Sequence, residues 1–126
     1  MTTSRGRSLS VLVVDNVADA ADSLAHLLVL HGHRAVAAYD AAEALRRAAA
    51  DPPDAVLTDL AMPRMDGWEL ARKLREQAGE RSLFVVAVTG LERADHRLLS
   101  GQAGIDLHLV KPVDPAAIVA VLSRLQ

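Results

Sequence analysis

Val11-Leu12-Val13-Val14-Asp15-Asn16 is the stretch that decides the fold class of this chain. Four consecutive residues are β-branched or Leu, and the run stops at two polar residues. A strand with one wet face alternates apolar and polar positions. An unbroken apolar run reads instead as a strand buried on both faces, the habit of parallel sheets covered by helices on either side. Working outward, the same unit recurs. Residues 18–30 place Ala21, Leu24, Leu27 and Leu28 at helical spacing, and Gly32 supplies a stop. Residues 35–39 read as a second, weaker strand. Asp40-Ala41-Ala42-Glu43 has the capping-box form and opens an Ala-rich helix to about residue 50, ended by Pro52-Pro53. Residues 54–57 form a third buried strand closing at Thr58-Asp59, followed by a loop over 60–67 with Pro63 and Gly67 as breakers. The spacing predicts an amphipathic helix over 68–77, with Leu70, Ala71 and Leu74 inward and Glu69, Arg72, Lys73 and Arg75 outward. After a turn at 79–82, residues 83–88 form a fourth strand stopping at Thr89-Gly90. A fourth helix is expected over 93–100, and a fifth strand over 107–110 stops at Lys111-Pro112. Asp114-Pro115 then reads as an N-cap followed by Pro at the first helical position, with the last helix running to the chain end.

Strand and helix thus alternate five times, a (βα)5 pattern. Such alternation demands an α/β architecture with parallel strands, right-handed crossovers and helices on both faces. Five units are too few for an eight-stranded barrel but suit a doubly wound five-stranded parallel sheet, for which 2-1-3-4-5 is a common order. The most apolar strands, the first, third and fourth, belong at its centre, and the Ala-rich second at an edge.

Composition sets the outer bounds. The chain has 126 residues, 51% hydrophobic, which is one domain's worth. Residues 1–9 read as a flexible polar lead and 10–126 as a single domain with no output domain attached. There is no Cys, so disulfides and thiolate metal sites are excluded. Mean hydropathy is only +0.16, no apolar run approaches the ~18 residues of a membrane span, and the first ten residues lack a signal-peptide core. A cytoplasmic protein without membrane contact is expected. A net charge of −2 and 2% aromatics argue against nucleic acid as a partner. The 23 Ala favour helices and close packing of helix on sheet. There are 12 Arg but only two Lys, Lys73 and Lys111.

Four strands hand over to polar residues at their carboxyl ends: Asp15-Asn16, Asp59, Thr89 and Lys111. Any one of these is ordinary, because strands end in loops. In a doubly wound sheet, however, these ends share one rim, and ligands bind where the strand order reverses. For the order 2-1-3-4-5 that crevice lies between strands one and three, flanked by Asp15 and Asp59. Two carboxylates there repel unless a cation intervenes. Mg²⁺ suits one or two carboxylates with retained waters, and a Lys ammonium with a Thr hydroxyl suits phosphoryl oxygens.

From residue 11 to 125 the chain resembles the receiver domain of two-component response regulators, and more closely the receivers of hybrid sensor histidine kinases. The resemblance rests on Val11-Leu12-Val13-Val14-Asp15, Asp59-Leu60-Ala61-Met62-Pro63-Arg64-Met65-Asp66-Gly67, Val88-Thr89-Gly90 and Leu109-Val110-Lys111-Pro112-Val113-Asp114. Asp19-Ala20-Ala21-Asp22-Ser23-Leu24 adds the hybrid-kinase flavour. It implies the flavodoxin-like fold and a phosphorylation-switched signalling domain rather than an enzyme, although one that assists its own phosphoryl transfer and loss. Asp59 would be the phosphoacceptor, charged by the phosphohistidine of a sensor histidine kinase or histidine phosphotransfer protein. Asp15, Asn16, Asp59 and the backbone carbonyl of Ala61 would hold Mg²⁺. Lys111 would contact the acceptor and then the phosphoryl group. Thr89 would reach a phosphoryl oxygen and act as a switch with His108. The response would appear on the face made by the fourth helix, fifth strand and last helix, where a homodimer or a downstream protein would bind.

One position departs from the family pattern. Asn16 stands where a second acidic metal ligand is usual, so Asp15, Asp59 and Lys111 give the empty site a formal charge of −1 instead of −2. Mg²⁺ affinity should fall ~10–100-fold. The same feature supports an alternative, a pseudo-receiver that binds partners without phosphorylation. An Asp-nucleophile phosphatase would need an acid at Ala61, and a flavin carrier would need aromatics and hydroxyl-rich loops, so both rank low. Ala61 and Leu91 are nonpolar and cannot position a hydrolytic water, which implies a long-lived phosphoryl group. Asp66 reads as a turn and cap residue. His26, His31, His33 and His96 read as solvated or helix-face residues, and Trp68 as a partly buried reporter near the site.

Overall fold

A computed structural model describes residues 8–62, 64–90 and 104–126, with the side chain of Thr89 excepted. Its elements run β1 (Ser10–Val14), α1 (Ala18–Leu30), β2 (Arg34–Ala38), α2 (Ala41–Ala50), β3 (Ala55–Asp59), α3 (Gly67–Ala78), β4 (Phe84–Thr89), β5 (Leu107–Val110) and α4 (Pro115–Ser123). The expected helix over 93–100, with His96, and the residues Pro63 and Leu91 lie outside the described residues.

All strand pairs are parallel, and the order is β2-β1-β3-β4-β5. The three most apolar strands are interior and β2 is an edge, as their compositions require. Strand side chains alternate between faces, so β1 feeds two cores. Val11 and Val13 pack with Ala21, Ala25 and Leu28 of α1 and Ile118 and Leu122 of α4. Leu12 and Val14 pack on the other face with Ala41, Ala44 and Ala48 of α2 and Leu70, Ala71 and Leu74 of α3. Each fully buried Leu or Val contributes about 1.5–3 kcal/mol. The alanines of α2 let that helix lie close on the sheet.

The helix ends follow the predicted chemistry. Asp40 accepts the Glu43 N–H at 2.7 Å, while Glu43 reaches back to the Tyr39 N–H at 2.8 Å. Asp66 caps α3 through the Glu69 N–H at 2.9 Å, and Asp114 caps α4 through the Ala116 N–H at 3.0 Å. Gly32, after α1, takes φ 92°.

Four expectations need correction. First, β3 continues through Thr58 and Asp59, which pair with Ala87 and Val88 of β4, so Asp59 is the last strand residue rather than the first loop residue. Second, α4 stops at Ser123 instead of running to the chain end. Third, the lead does not extend to residue 9. Leu9 is fully buried in the α1–α4 core, and its carbonyl accepts the Arg34 N–H at 2.8 Å. Fourth, His33 is not solvated. It is 6% exposed, and its Nδ1 accepts the Leu9 N–H at 3.2 Å. Burial, and then the neighbouring His31, hold its imidazole below the ordinary value of 6.5.

Candidate functional site

β1 and β3 are neighbours, yet the chain leaves β1 towards β2 on one side and leaves β3 towards β4 on the other. The crevice between their carboxyl ends is therefore left uncovered by either crossover. Asp59, ending β3, is 8% exposed. A carboxylate so deep needs partners for both oxygens. Its Oδ1 accepts the Ala61 N–H at 3.1 Å, and its Oδ2 accepts the Lys111 ammonium at 3.2 Å. The same ammonium lies 3.8 Å from Oδ2 of Asp15, the residue following β1. Asp15 is itself tethered: Oδ1 accepts the Val17 N–H at 2.9 Å, and its own N–H donates to the Ala38 carbonyl at 3.1 Å. Lys111 thus sits between two carboxylates from two strands, delivered by the residue after β5.

The loop that follows Asp59 is fixed by contact as well as by hydrogen bonds. The Gly67 N–H donates to the Leu60 carbonyl at 3.0 Å. A Cβ on Gly67 would meet the Asp59 carbonyl oxygen at 2.5 Å and the Leu60 Cα at 2.8 Å. The first turn of α3 therefore rests directly on the backbone that carries Asp59. Arg64, in the same loop, takes φ 71°.

The other expected site residues are placed as follows. Asn16 is exposed next to Asp15, and Ala61 is exposed next to the crevice. Thr89 ends β4, its backbone in register with Val110. His108 is half-buried in β5; Leu107 and Leu109 pack on the α1–α4 core, so alternation sets His108 on the opposite face. Of the remaining histidines, His26 and His31 are exposed as expected, and Trp68 packs partly buried against the α2–α3 core. A groove of about 710 Å³ opens beside Asp15 and Lys111, floored by Leu24, Leu27, Val113 and Ile118.

Two carboxylates and one ammonium leave the crevice net negative and all-oxygen on its acidic side. That donor set fits Mg²⁺, which binds through one or two carboxylates and keeps several waters. It does not form a full protein cage: among the described residues no group of three or more His, Cys, Asp or Glu is gathered to hold a metal. Among the described residues, too, no helix is long and apolar enough to cross a membrane.

Reading the sequence for polar side chains missed two parts of this site. One is the Ala61 amide, a backbone donor that any residue but Pro would supply. The other is Gly67, taken for a breaker when its role is close approach. The Asp-Gly pair ahead of an apolar helix was the available signal.

The comparisons with known proteins bear on the family and the fold. The family model for the response regulator receiver domain matches residues 11–123. The chain is 34% identical over 119 residues to the response regulator MprA of Mycobacterium ulcerans, covering 94% of this chain and 49% of that protein. It is 33% identical over 116 residues to an uncharacterized 14.6 kDa protein of Leptolyngbya boryana, covering 92% of this chain and 88% of the relative. The chain therefore spans about half the length of MprA but most of the second relative. Among solved structures, the chemotaxis protein CheY4 of Vibrio cholerae superposes with a TM-score of 0.87 at 26% identity, over 96% of this chain and 100% of that one. A CheY-like receiver domain protein of Methanospirillum hungatei gives 0.86 at 25% identity, over 95% and 94%.

Proposed function

The chain belongs to the response regulator receiver domain family, and from that premise we propose that it is a phosphorylation-switched signalling domain with Asp59 as phosphoacceptor. The observation that carries the proposal is the Asp59 carboxylate. It is nearly buried at a strand end, with one oxygen on the Lys111 ammonium and the other on the Ala61 amide. The donor is a phosphohistidine on a sensor histidine kinase or histidine phosphotransfer protein, and the apolar groove beside Asp15 and Lys111 suits a helical partner carrying it.

An Asp59 oxygen attacks the phosphorus in line, the P–O bond to the carboxylate forms, and the P–N bond to the imidazole breaks. Such transfer needs positioning and charge stabilisation more than covalent chemistry. Lys111 and the Ala61 N–H already face the carboxylate, so charge developing on the phosphoryl oxygens meets donors in place. Asp15 and Asp59, with Asn16 and the Ala61 carbonyl by the family pattern, would hold Mg²⁺, which supplies positive charge against those oxygens. Thr89, by the same pattern, takes a phosphoryl oxygen and relays the change with His108 towards the face formed by β5 and α4. A homodimer or downstream protein would read that face. The nonpolar Ala61 leaves no side chain to aim a water, so the phosphoryl group should persist. Mass spectrometry after incubation with acetyl phosphate and Mg²⁺ tests the proposal. One phosphoryl group on the wild-type chain and none on Asp59→Asn is the expected result; equal labelling of both would overturn it.

Asn16 favours a second reading, a receiver fold that binds its partner without phosphorylation. No labelling at any Mg²⁺ concentration, with partner binding intact in Asp59→Asn, would establish that reading.

A further inference from the structure

The approach to β5 is held by one side chain of α3. Arg75 was expected outward, but it is half-buried, and its guanidinium reaches across to the strand. Nε and Nη2 both donate to the Gly104 carbonyl, at 2.9 and 2.7 Å, and Nη1 donates to the Leu83 carbonyl at 2.5 Å. Nη2 also pairs with the Asp106 carboxylate. Gly104, at φ 83°, leaves the space the guanidinium uses: a Cβ there would meet Arg75 Nε at 2.9 Å. Asp106 in turn fastens β5 to β4 twice, accepting the Val85 N–H on its carboxylate at 2.8 Å and donating its own N–H to the Val85 carbonyl at 2.8 Å.

β5 needs such a fastening. It is four residues long, none of them fully buried, and among the described strands it pairs only with β4. Leu107 and Leu109 pack only partly buried on the α1–α4 core, so side-chain packing specifies the register of this edge strand less firmly than that of the interior strands. The residue after this strand is Lys111, which must meet Asp59 at 3.2 Å. A slip of one residue moves a side chain by ~3.3 Å along the strand and turns it to the other face. α3 is well placed to resist that slip, because its first turn is jammed against the Asp59 backbone through Gly67.

We propose that Arg75 is a positioning residue for phosphoryl transfer: through Gly104 and Asp106 it fixes the register of β5, and so the place where the Lys111 ammonium meets Asp59. This deepens the reading of Asp59 as phosphoacceptor and rests on it for its kinetic consequence. The fork matters as well as the charge, since the guanidinium spreads four hydrogen bonds over three nitrogens, and the single ammonium nitrogen of a Lys has only three donors at one point.

The scarcity of lysine makes the contact directly observable. Reductive ¹³C-methylation labels the amino terminus and two side chains, Lys73 and Lys111, and Lys73→Arg identifies which NMR signal is which. Asp59→Asn marks the signal of a Lys111 that has lost the Asp59 carboxylate. In Arg75→Met the Lys111 signal should move to that position, and Asp59 labelling by acetyl phosphate should slow by about 10–100-fold, the penalty for a misplaced group. In a Lys111→Ala background, adding Arg75→Met should change labelling by less than about twofold, because both act through one contact. An unmoved Lys111 signal, or full additivity of the two substitutions, would overturn the proposal. Should Arg75→Met fail to fold by circular dichroism, Arg75→Lys serves: an intermediate signal supports the pin and an unmoved one defeats it. If the wild-type chain takes no label, the phosphoacceptor reading falls, while the Lys111 signal still decides whether Arg75 sets its place.

Discussion

Gly67 is constrained by space. It is not among the residues with positive φ, yet a Cβ at this position would press on the Asp59 carbonyl and the Leu60 Cα, both backbone atoms with little freedom to move. Gly67→Ala should therefore cost about 1–3 kcal/mol of stability as an overpacking change. On the proposed role of Asp59, it should also slow labelling by up to about 100-fold, because it displaces that carboxylate itself. Urea denaturation and a labelling time course check the two effects separately, and an unchanged labelling rate would show that the loop moves as a unit without consequence. Asn16 makes the opposite kind of contribution. It is exposed and gives the crevice beside Asp15 and Asp59 one formal negative charge fewer than a second acid would. Asn16→Asp should tighten Mg²⁺ binding ~10–100-fold, measured by titration of Trp68 fluorescence. Equal affinities in the two proteins would reject the charge argument.

At the scale of elements, the join of β1 to β2 carries a titratable bond. The His33 Nδ1 that accepts the Leu9 N–H can do so only while it is unprotonated. Burial lowers its folded pKa from 6.5, so the unfolded chain binds the proton more readily. The stabilisation is fully present above 6.5 and is lost as pH falls through 6.5 towards the lowered folded value. As pH falls below 6.5 the urea midpoint of the wild type should fall more steeply than that of His33→Gln; parallel slopes would show that His33 is not the group responsible. The sequence could not reveal this bond. His31-Gly32-His33 follows a helix stop and looks like a solvated turn, and burial of the second histidine depends on Leu9, which enters the core from beyond the recognisable strand. Most other elements were legible, because apolar runs, Asp40, Asp66, Asp114 and Gly32 each express a local preference. β3 ran two residues past its apolar segment, since Thr58 and Asp59 pair by backbone, which side-chain polarity does not report. Arg75 misled for a related reason: its spacing on α3 says outward, and only the tertiary neighbours Gly104 and Asp106 give an arginine cause to turn in.

For the molecule as a whole, the strand order brings Asp15, Asp59 and Lys111 together from positions far apart in sequence, and that much followed from polar residues at successive strand ends. It also couples the site to global stability. Lys111 contributes one positive charge against two carboxylates held close together, so folding must keep like charges in proximity. A cation that binds the folded site and not the unfolded chain relieves this and stabilises the fold by RT ln(1 + [L]/Kd). At ten times Kd that is about 1.4 kcal/mol, or roughly 5 °C in Tm for a chain of this size. Thermal melts across a Mg²⁺ series should therefore rise by that amount in the wild type, and the concentration at which the rise sets in locates Kd. In Asn16→Asp the same rise should begin at ~10–100-fold lower Mg²⁺. In Asp15→Asn it should be largely lost, because one of two carboxylates is gone. NaCl reproducing the wild-type curve at equal ionic strength would reduce the effect to screening. A melt indifferent to Mg²⁺ in the wild type but responsive in Asn16→Asp would mean that Asn16 has silenced the metal site, which favours a receiver fold that signals without phosphorylation.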